Sequence, residues 1–261
     1  MEELLRSLAL FKPETALVAG LLLVVITDSI GAAWRNAAVR LLTLASLAMA
    51  LGLAFNLQHS GAKASIFSGM LVVDPLGAAF KVVLVAAGLL TVLVFTFRNS
   101  RELQGLGQGE LHALVLALVL SCLLLASASD LVMLYLALEM VSITSYVMVA
   151  YLKGDRMSNE ASLKYVLFGA ASTGTMLYGL SFLYGMTGTT ALPGIQEFLA
   201  GGVPEANRFA IYAITLLLLV GFGFKIAAVP FHFWCPDVYQ GAATPVTALL
   251  SVLPKAAGMA I

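Results

Sequence analysis

The stretch GFGFKIAAVPFHFWCPDVYQGAATPV, Gly221–Val246, decides how this chain folds. It continues an apolar run, Phe209–Val220, that is typical of a membrane-spanning helix, and it places Lys225 five residues before Pro230. As one straight helix ending at Gln240, the segment would be about 48 Å long, which is more than a bilayer requires. Proline lacks the N–H that a helix interior uses, so the sequence predicts a broken helix next to this proline.

The composition predicts that the whole chain lies in a membrane. Of its 261 residues, 61% are hydrophobic and 11% are charged, whereas a soluble domain carries about 25% charged residues. The 14 basic and 14 acidic side chains cancel, which argues against a nucleic-acid partner. Cys122 and Cys235 lie in apolar segments without metal-ligand spacing and are interpreted as packing residues. We expect an integral, multi-pass membrane protein in contact with the lipid bilayer and without a bound metal.

Eight apolar runs approach the roughly 20 residues that a helix needs to cross a bilayer. They are continuous rather than alternating, so the predicted fold class is all-α, a polytopic transmembrane helical bundle with a broken helix. Two shorter segments are expected outside the membrane, Ile66–Asp74 as a hairpin and Pro193–Gly201 as a short helix. The predicted spans are Pro13–Ala33, Val39–Leu57, Pro75–Phe97, Leu111–Ser129, Leu131–Leu152, Ala161–Met186, Phe209 onward and Ala243 to the end.

Basic residues in the short loops predict the orientation of the bundle, because they favour the cytoplasmic side. With the N-terminus outside, the compact inner loops hold Arg35, Arg40, Arg98, Arg101, Lys153 and Arg156. The longer outer segments then hold Arg6, Lys12, Lys63 and Arg208. The bias predicts an N-terminus outside. The chain stops at Ile261 within an apolar run, which we interpret as the end of a truncated chain.

Four charged side chains inside the predicted spans are the main candidate site residues, since a charge at the bilayer centre costs about 2.5–3.5 kcal/mol. Glu139 lies about 12 Å along its helix, too deep for its short side chain to reach an interface. Lys164 is either a lysine that snorkels to the inner interface or the ion-pair partner of Glu139. Lys225 lies beside the predicted break, and Lys255 directly follows Pro254, which predicts a second break beside a second buried lysine.

Three further residues are secondary relay candidates. Lys81 lies about 9 Å into its span, and we expect it to snorkel to the interface. Histidine titrates near neutral pH, which suits a proton relay, but we expect His232 to be a hydrogen-bonded core residue with the relay as the alternative. Asp237 either takes part in the relay or caps a short helix end.

The order acid, lysine, lysine, lysine on four consecutive predicted helices favours proton translocation. A neighbouring carboxylate stabilises a protonated lysine, whereas a second ammonium in a low dielectric destabilises it. Our hypothesis is that Lys164 moves toward Lys225 when it separates from Glu139. Lys225 then releases its proton, and Lys255 is placed to accept it.

Three segments of the chain carry a family resemblance. They are LYLALEMVSITSYVMVAY from Leu134, ASLKYVLFGA from Ala161 and FKIAAVPFHFWCPDVYQGAATPVTALLSVLPKAAG from Phe224. These segments resemble the antiporter-like subunit N family of NADH-quinone oxidoreductase, respiratory complex I. The resemblance implies a proton channel driven by quinone reduction elsewhere in the complex and lined by Glu139, Lys164, Lys225 and Lys255. The sequence departs from the family at Ala243, where the family usually has proline.

The resemblance also implies an organisation and a set of partners. The chain resembles the first half of an antiporter-like inverted-repeat fold, with N-terminal helices and an external hairpin in residues 1–110 and proton-channel helices in residues 111–261. It implies a translocase subunit in a bacterial inner (plasma) membrane, next to M-, K- and J-like membrane subunits. It implies that NADH, FMN, iron–sulfur clusters and quinone are bound by partner subunits and that this chain binds no cofactor.

Two other functions remain open at the level of sequence. An Mrp-type cation/proton antiporter subunit shares the helix pattern and the buried lysine, and sodium-dependent proton movement without NADH dehydrogenase modules would favour it. A non-pumping assembly or scaffold subunit is the second alternative. Loss of complex assembly, rather than loss of pumping, on mutation of Lys225 would favour the scaffold.

Overall fold

The structure, a computed structural model, describes residues 2–31, 34–98 and 108–261. Ala33 and Arg101, which entered the predictions above, lie outside the described residues, as does the side chain of Arg98. The described ranges form eleven helices and one β-hairpin. These elements are α1 Glu2–Leu10, α2 Lys12–Ser29, α3 Arg35–Ser60, β1 Ala64–Ile66, β2 Leu71–Val73, α4 Pro75–Arg98, α5 Gln108–Leu125, α6 Leu131–Val149, α7 Arg156–Thr187, α8 Leu192–Ala200, α9 Glu205–Ile226, α10 Cys235–Gly241 and α11 Thr244–Met259.

The predicted all-α membrane bundle is confirmed, and each predicted span contains a helix. Within the described ranges, six helices are long and apolar enough to cross a bilayer, namely α3, α4, α5, α6, α7 and α9. A seventh crossing results if α1 and α2, which meet at 79°, are counted as one bent span. Helix length and composition therefore support six or seven of the eight predicted crossings, and the eighth, Ala243 to the end of the sequence, stays a prediction.

One end of the bundle is organised around the hairpin, and we call it the hairpin end. Strands β1 and β2 pair antiparallel, which confirms the hairpin predicted over Ile66–Asp74. The N–H of Val72 donates to the carbonyl of Ser127 at 2.8 Å, and the N–H of Leu131 donates to the carbonyl of Thr190 at 2.8 Å. The hairpin, the α5–α6 connection and the α7–α8 connection thus lie together, next to α8, the short helix predicted over residues 193–201.

Helix α5 lies at the centre of the bundle. It packs on α2, α3, α4, α6 and α11, and most of its residues are buried. Helices α4 and α5 approach each other closely at Gly88 of α4. A Cβ at this position would lie 2.6 Å from Cγ2 of Val119 on α5. A helix buried on all sides in this way is apolar around its whole circumference.

The broken helix is confirmed, but α9 ends at Ile226, earlier than the predicted break next to Pro230. Ala227 adopts the left-handed conformation with φ 57°, and the N–H of Ala228 donates to the carbonyl of Gly223 at 2.8 Å. This is a Schellman-type helix ending with alanine where glycine is usual. Proline lacks a donor, so Pro230 cannot bond the carbonyl of Ile226 and helix continuation is disfavoured.

The helix break predicted at Pro254 is wrong, since α11 continues through this residue. Pro254 offers no N–H to the carbonyl of Leu250, one turn earlier. The hydroxyl of Tyr239 on α10 donates to that carbonyl at 3.4 Å. Helix α11 also packs against α4, α5, α6 and α9. Packing and a substitute donor therefore hold the helix together across the proline.

Candidate functional site around Lys225

The site begins at the last turn of α9, where Lys225 is 2% exposed. Its ammonium donates to Oγ of Ser142 on α6 at 2.9 Å. The Ser142 hydroxyl donates in turn to the carbonyl of Leu138 at 2.8 Å, which leaves its lone pairs free for the lysine. None of the ion pairs among the described residues includes Lys225. A buried ammonium thus has a serine, not a carboxylate, as its hydrogen-bond acceptor.

Glu139 lies one helical turn before Ser142 and acts electrostatically on Lys225. Within the described part of the chain, its Oε1 is buried without a hydrogen-bond partner, as are the hydroxyl of Tyr146 and Nε1 of Trp234. Buried polar atoms are nearly always hydrogen-bonded, to protein or to ordered water. Two of these three unpartnered atoms belong to α6, the helix whose Ser142 meets Lys225, and internal water would satisfy them.

Aromatic side chains fix the segment between α9 and α10 against α7. Trp234 stacks on Tyr165 with a centroid distance of 4.5 Å and an interplanar angle of 12°. Trp234 also lies 5.0 Å from Phe224, and Tyr146 of α6 meets the edge of Tyr165 at 4.7 Å. These contacts pack Phe224, the neighbour of Lys225 in sequence, against Tyr165 of α7, 6.0 Å between ring centroids.

Lys164 does not pair with Glu139, contrary to one of our two sequence interpretations. Its ammonium lies 2.6 Å from Oδ2 of Asp237 and 2.9 Å from Oε1 of Glu160, and the side chain is 38% exposed. Helix α10 packs on α7 and thereby brings Asp237 to the lysine. The capping role considered for Asp237 is also wrong, because Trp234 is the N-cap residue of α10 and makes no side-chain cap bond.

Lys255 is half-buried on α11, near the same region. Its ammonium lies 5.2 Å from the ring centroid of Tyr239, within the range of a cation–π contact. Gly258, nearly one turn further along α11, faces the stem of Lys225, and a Cβ there would lie 3.6 Å from the lysine Cγ. Helix α11 thus borders Lys225 and carries the second lysine of the predicted relay.

His232 does not occupy the core position that we expected. Its side chain is exposed, whereas Trp234, two residues later, is 4% exposed. The turns between α9 and α10 direct the tryptophan inward and leave the histidine outside. The structure therefore does not place His232 among the groups around Lys225.

The prediction that Lys81 snorkels is wrong, because the side chain is 2% exposed. Its ammonium lies 2.7 Å from Oε1 of Glu14, which is fully buried on α2. Sequence reasoning overlooked this acid. The available signal was that Glu14 follows the start of the first predicted span and Lys81 follows the start of the third. Ser142 was also overlooked, since a serine in an apolar helix does not reveal which group it faces.

Comparisons with known proteins place these features in a family. The family model described as NADH:quinone oxidoreductase/Mrp antiporter, TM, matches residues 128–261. NADH-quinone oxidoreductase subunit N of Anaeromyxobacter sp. is 45% identical over 270 residues, which cover 100% of this chain and 51% of the relative. NADH-quinone oxidoreductase subunit N 2 of Chloroherpeton thalassium is 42% identical over 96% of this chain and 49% of the relative.

A solved structure shows the same fold. A chain of respiratory complex I from Thermus thermophilus superposes with a TM-score of 0.78 at 32% identity, over 95% of this chain and 52% of that chain. The chain spans about half the length of the curated relatives that it matches. The matched residues 128–261 include α6, α7 and the whole broken-helix region around Lys225. The chain is an integral multi-pass membrane protein that belongs to the NADH:quinone oxidoreductase/Mrp antiporter transmembrane family, within which it is similar to subunit N.

Proposed function

We propose that this chain acts as a proton-translocating membrane subunit of NADH-quinone oxidoreductase. Its similarity to subunit N relatives supports this assignment. In the proposal, the chain contacts M-, K- and J-like membrane subunits in a bacterial inner membrane. The partner subunits bind NADH, FMN, iron–sulfur clusters and quinone, and this chain carries out no redox chemistry. Residues 111–261 form the proton-channel part, and residues 1–110 form the N-terminal helices with the external hairpin.

The burial of Lys225 beside a helix break is the observation that carries the proposal. Irregular backbone at membrane depth is tolerated where it is buried in protein or lines water. Ionisable groups inside a membrane bundle ordinarily mark ion or proton pathways. Lys225 meets Ser142 rather than a carboxylate, so its charge is held by one hydrogen bond and by the field of Glu139. A lysine held in this way can change its protonation when nearby charges move.

The proposed relay is adjusted to the contacts in the structure. Lys164 must leave Asp237 and Glu160 before its charge can approach Lys225. A second ammonium then favours loss of the proton from Lys225. Lys255 on the adjoining α11 accepts this proton, and Glu139 restores the charge on Lys225 when Lys164 withdraws.

Replacement of Lys225 by methionine tests the proposal. Methionine keeps much of the side-chain length but cannot carry a proton, so we expect the ratio of protons translocated to NADH oxidised to fall. The measurement is made on membrane vesicles that contain the complete complex with this chain.

The matched control is Lys153→Met. Lys153 is 74% exposed and forms a surface ion pair with Glu110 at 3.4 Å, and such pairs contribute about 0–1 kcal/mol. We expect this control to keep the original ratio. Equal ratios in the two variants would show that Lys225 is dispensable and would contradict the proposal.

The family also contains Mrp antiporters, which makes an Mrp-type antiporter the second candidate function. Membrane vesicles that lack the NADH-oxidising modules separate the two candidates. Sodium-dependent proton movement in those vesicles would favour the antiporter. Loss of complex assembly in Lys225→Met, rather than loss of pumping, would favour a scaffold role.

A further inference from the structure

Glu14 and Lys81 form an ion pair outside the Lys225 site. The ammonium of Lys81 lies 2.7 Å from Oε1 of Glu14, and the two side chains are 2% and 0% exposed. The pair joins α4 to α2. Every other ion pair among the described residues has both partners at least 26% exposed. This is therefore the one pair of the described part of the chain that is withdrawn from solvent on both sides.

A clamp between two helices does not require these charges. Desolvation of a buried ion pair largely cancels its attraction, and well-packed apolar residues often stabilise a structure as well or better. Oε2 of Glu14 is also buried and makes no hydrogen bond within the described ranges. The carboxylate thus has an unused oxygen on which a proton can reside. Transfer of a proton from the Lys81 ammonium to Glu14 converts the pair into a neutral amine and a neutral acid.

Along the helix axes, the pair lies closer to the hairpin end than the Lys225 site does. Backbone hydrogen bonds between the hairpin and the α5–α6 connection place the starts of α4 and α6 at that end. Lys81 lies six residues beyond Pro75, about 9 Å along α4. Ser142, which accepts from Lys225, lies eleven residues beyond Leu131, about 16 Å along α6. The ion pair is therefore shallower than Lys225, on the side of the hairpin end.

Two helices connect the ion pair with the Lys225 site. Helix α4, which carries Lys81, packs on both α5 and α11. Helix α11 faces the stem of Lys225 at Gly258, where a Cβ would lie 3.6 Å from the lysine Cγ. One layer of helices, α5 and α11, therefore separates α4 and its ion pair from the Lys225 site.

We propose that Glu14 and Lys81 form a second proton-exchanging pair in series with Lys225, which passes protons between the Lys225 site and the hairpin end. This inference rests on the proposed function. Repulsion or attraction from the changing charge at Lys225 shifts the pair between its ionised and neutral forms. The proton then moves between the Lys81 nitrogen and the Glu14 carboxylate without leaving a lone buried charge.

The double variant E14Q/K81M tests the inference, because it removes both titratable groups and leaves no unpaired charge. The readouts are the amount of complex in the membrane and the ratio of protons translocated to NADH oxidised. A site in series with Lys225 predicts that the ratio falls to the value of Lys225→Met. The matched control is E110Q/K153M, which neutralises an exposed pair in the same way, and we expect it to keep the original ratio.

The outcomes separate the two possible roles of the pair. If E14Q/K81M assembles and keeps the ratio of its control, the pair is a clamp and the inference is overturned. If the double variant does not assemble, the charges are needed to hold α2 and α4 together, and the inference is likewise overturned. If Lys225→Met itself keeps the original ratio, the proposed function is contradicted, whatever the Glu14 variants show.

Discussion

Lys225 and Lys81 are both buried lysines, but the protein satisfies them in different ways. Lys225 donates to a hydroxyl, and Lys81 meets a carboxylate. The sequence predicted correctly that Lys225 is buried beside a helix break, because the spacing of lysine and proline marks the break locally. It could not predict the environment of Lys81, since depth along one helix does not show that α2 supplies Glu14. Ser142 was missed for the same reason, because its partner depends on how α6 and α9 pack.

Replacement of Ser142 by alanine should weaken proton translocation. The change removes the oxygen that accepts from Lys225. Hydrogen bonds to charged groups contribute about 1.5–3 kcal/mol, so the protonated lysine should be disfavoured by roughly ten-fold or more. We expect a lower ratio of protons translocated to NADH oxidised, and we expect Ser142→Thr, which keeps the hydroxyl, to recover most of it.

Ser145→Ala is the matched control for this change. Ser145 is buried on the same helix and donates to the carbonyl of Val141 at 2.6 Å, in the same manner as Ser142 donates to Leu138. Its loss removes the same atoms from α6 without removing the acceptor of Lys225. If the two alanine variants give the same ratio, the Ser142 hydroxyl has no role beyond packing.

At the scale of the elements, the bounds of the long helices agree with those predicted from the sequence. The contacts between helices could not be predicted from it. Apolar runs set the helix bounds to within a few residues, because a bilayer and a close-packed interior both require them. The end of α9 depends on Ala227, which adopts a left-handed conformation. The sequence does not predict this helix end, because glycine is the usual residue at such a position. The docking of α10 on α7, which gives Lys164 its partner, is a tertiary contact with no local signature.

Gly241→Ala should loosen the docking of α10 on α7. A Cβ at this position would lie 2.5 Å from Cβ of Ala161 and 2.6 Å from the carbonyl oxygen of Met157. The backbone oxygen cannot move aside, and overpacking of this kind costs about 1–3 kcal/mol. We expect a lower midpoint of thermal denaturation for the detergent-solubilised protein.

Gly174→Ala is the corresponding control on α7. Gly174 is exposed, and a Cβ there meets no described atom within 4 Å. Alanine is favoured over glycine in a helix by about 0.8–1 kcal/mol, so this variant should be as stable as the original or slightly more stable. Equal losses of stability in both variants would refute the steric account of Gly241.

On the scale of the whole molecule, the two ends of the bundle are built differently. Backbone hydrogen bonds join the segments at the hairpin end. The opposite end carries the exposed ion pairs Lys153–Glu110 and Arg35–Asp28. The basic residues of the short loops predict that this opposite end faces the cytoplasm, and the orientation stays a prediction. It did not predict that α11 packs against α4, because that contact joins segments far apart in the chain.

Cysteine labelling of intact cells tests the predicted orientation, with the N-terminus and the hairpin end outside. Ser68 in the hairpin turn and Asn159 in the first turn of α7 are both exposed, polar and at opposite ends of the bundle. We expect a membrane-impermeant maleimide to label Ser68→Cys in intact cells and Asn159→Cys only after the cells are opened. The unmodified chain gives the background, since Cys122 is buried and Cys235 half-buried. The reverse pattern would place the hairpin end in the cytoplasm, and the Glu14–Lys81 pair would then lie on the cytoplasmic side of Lys225.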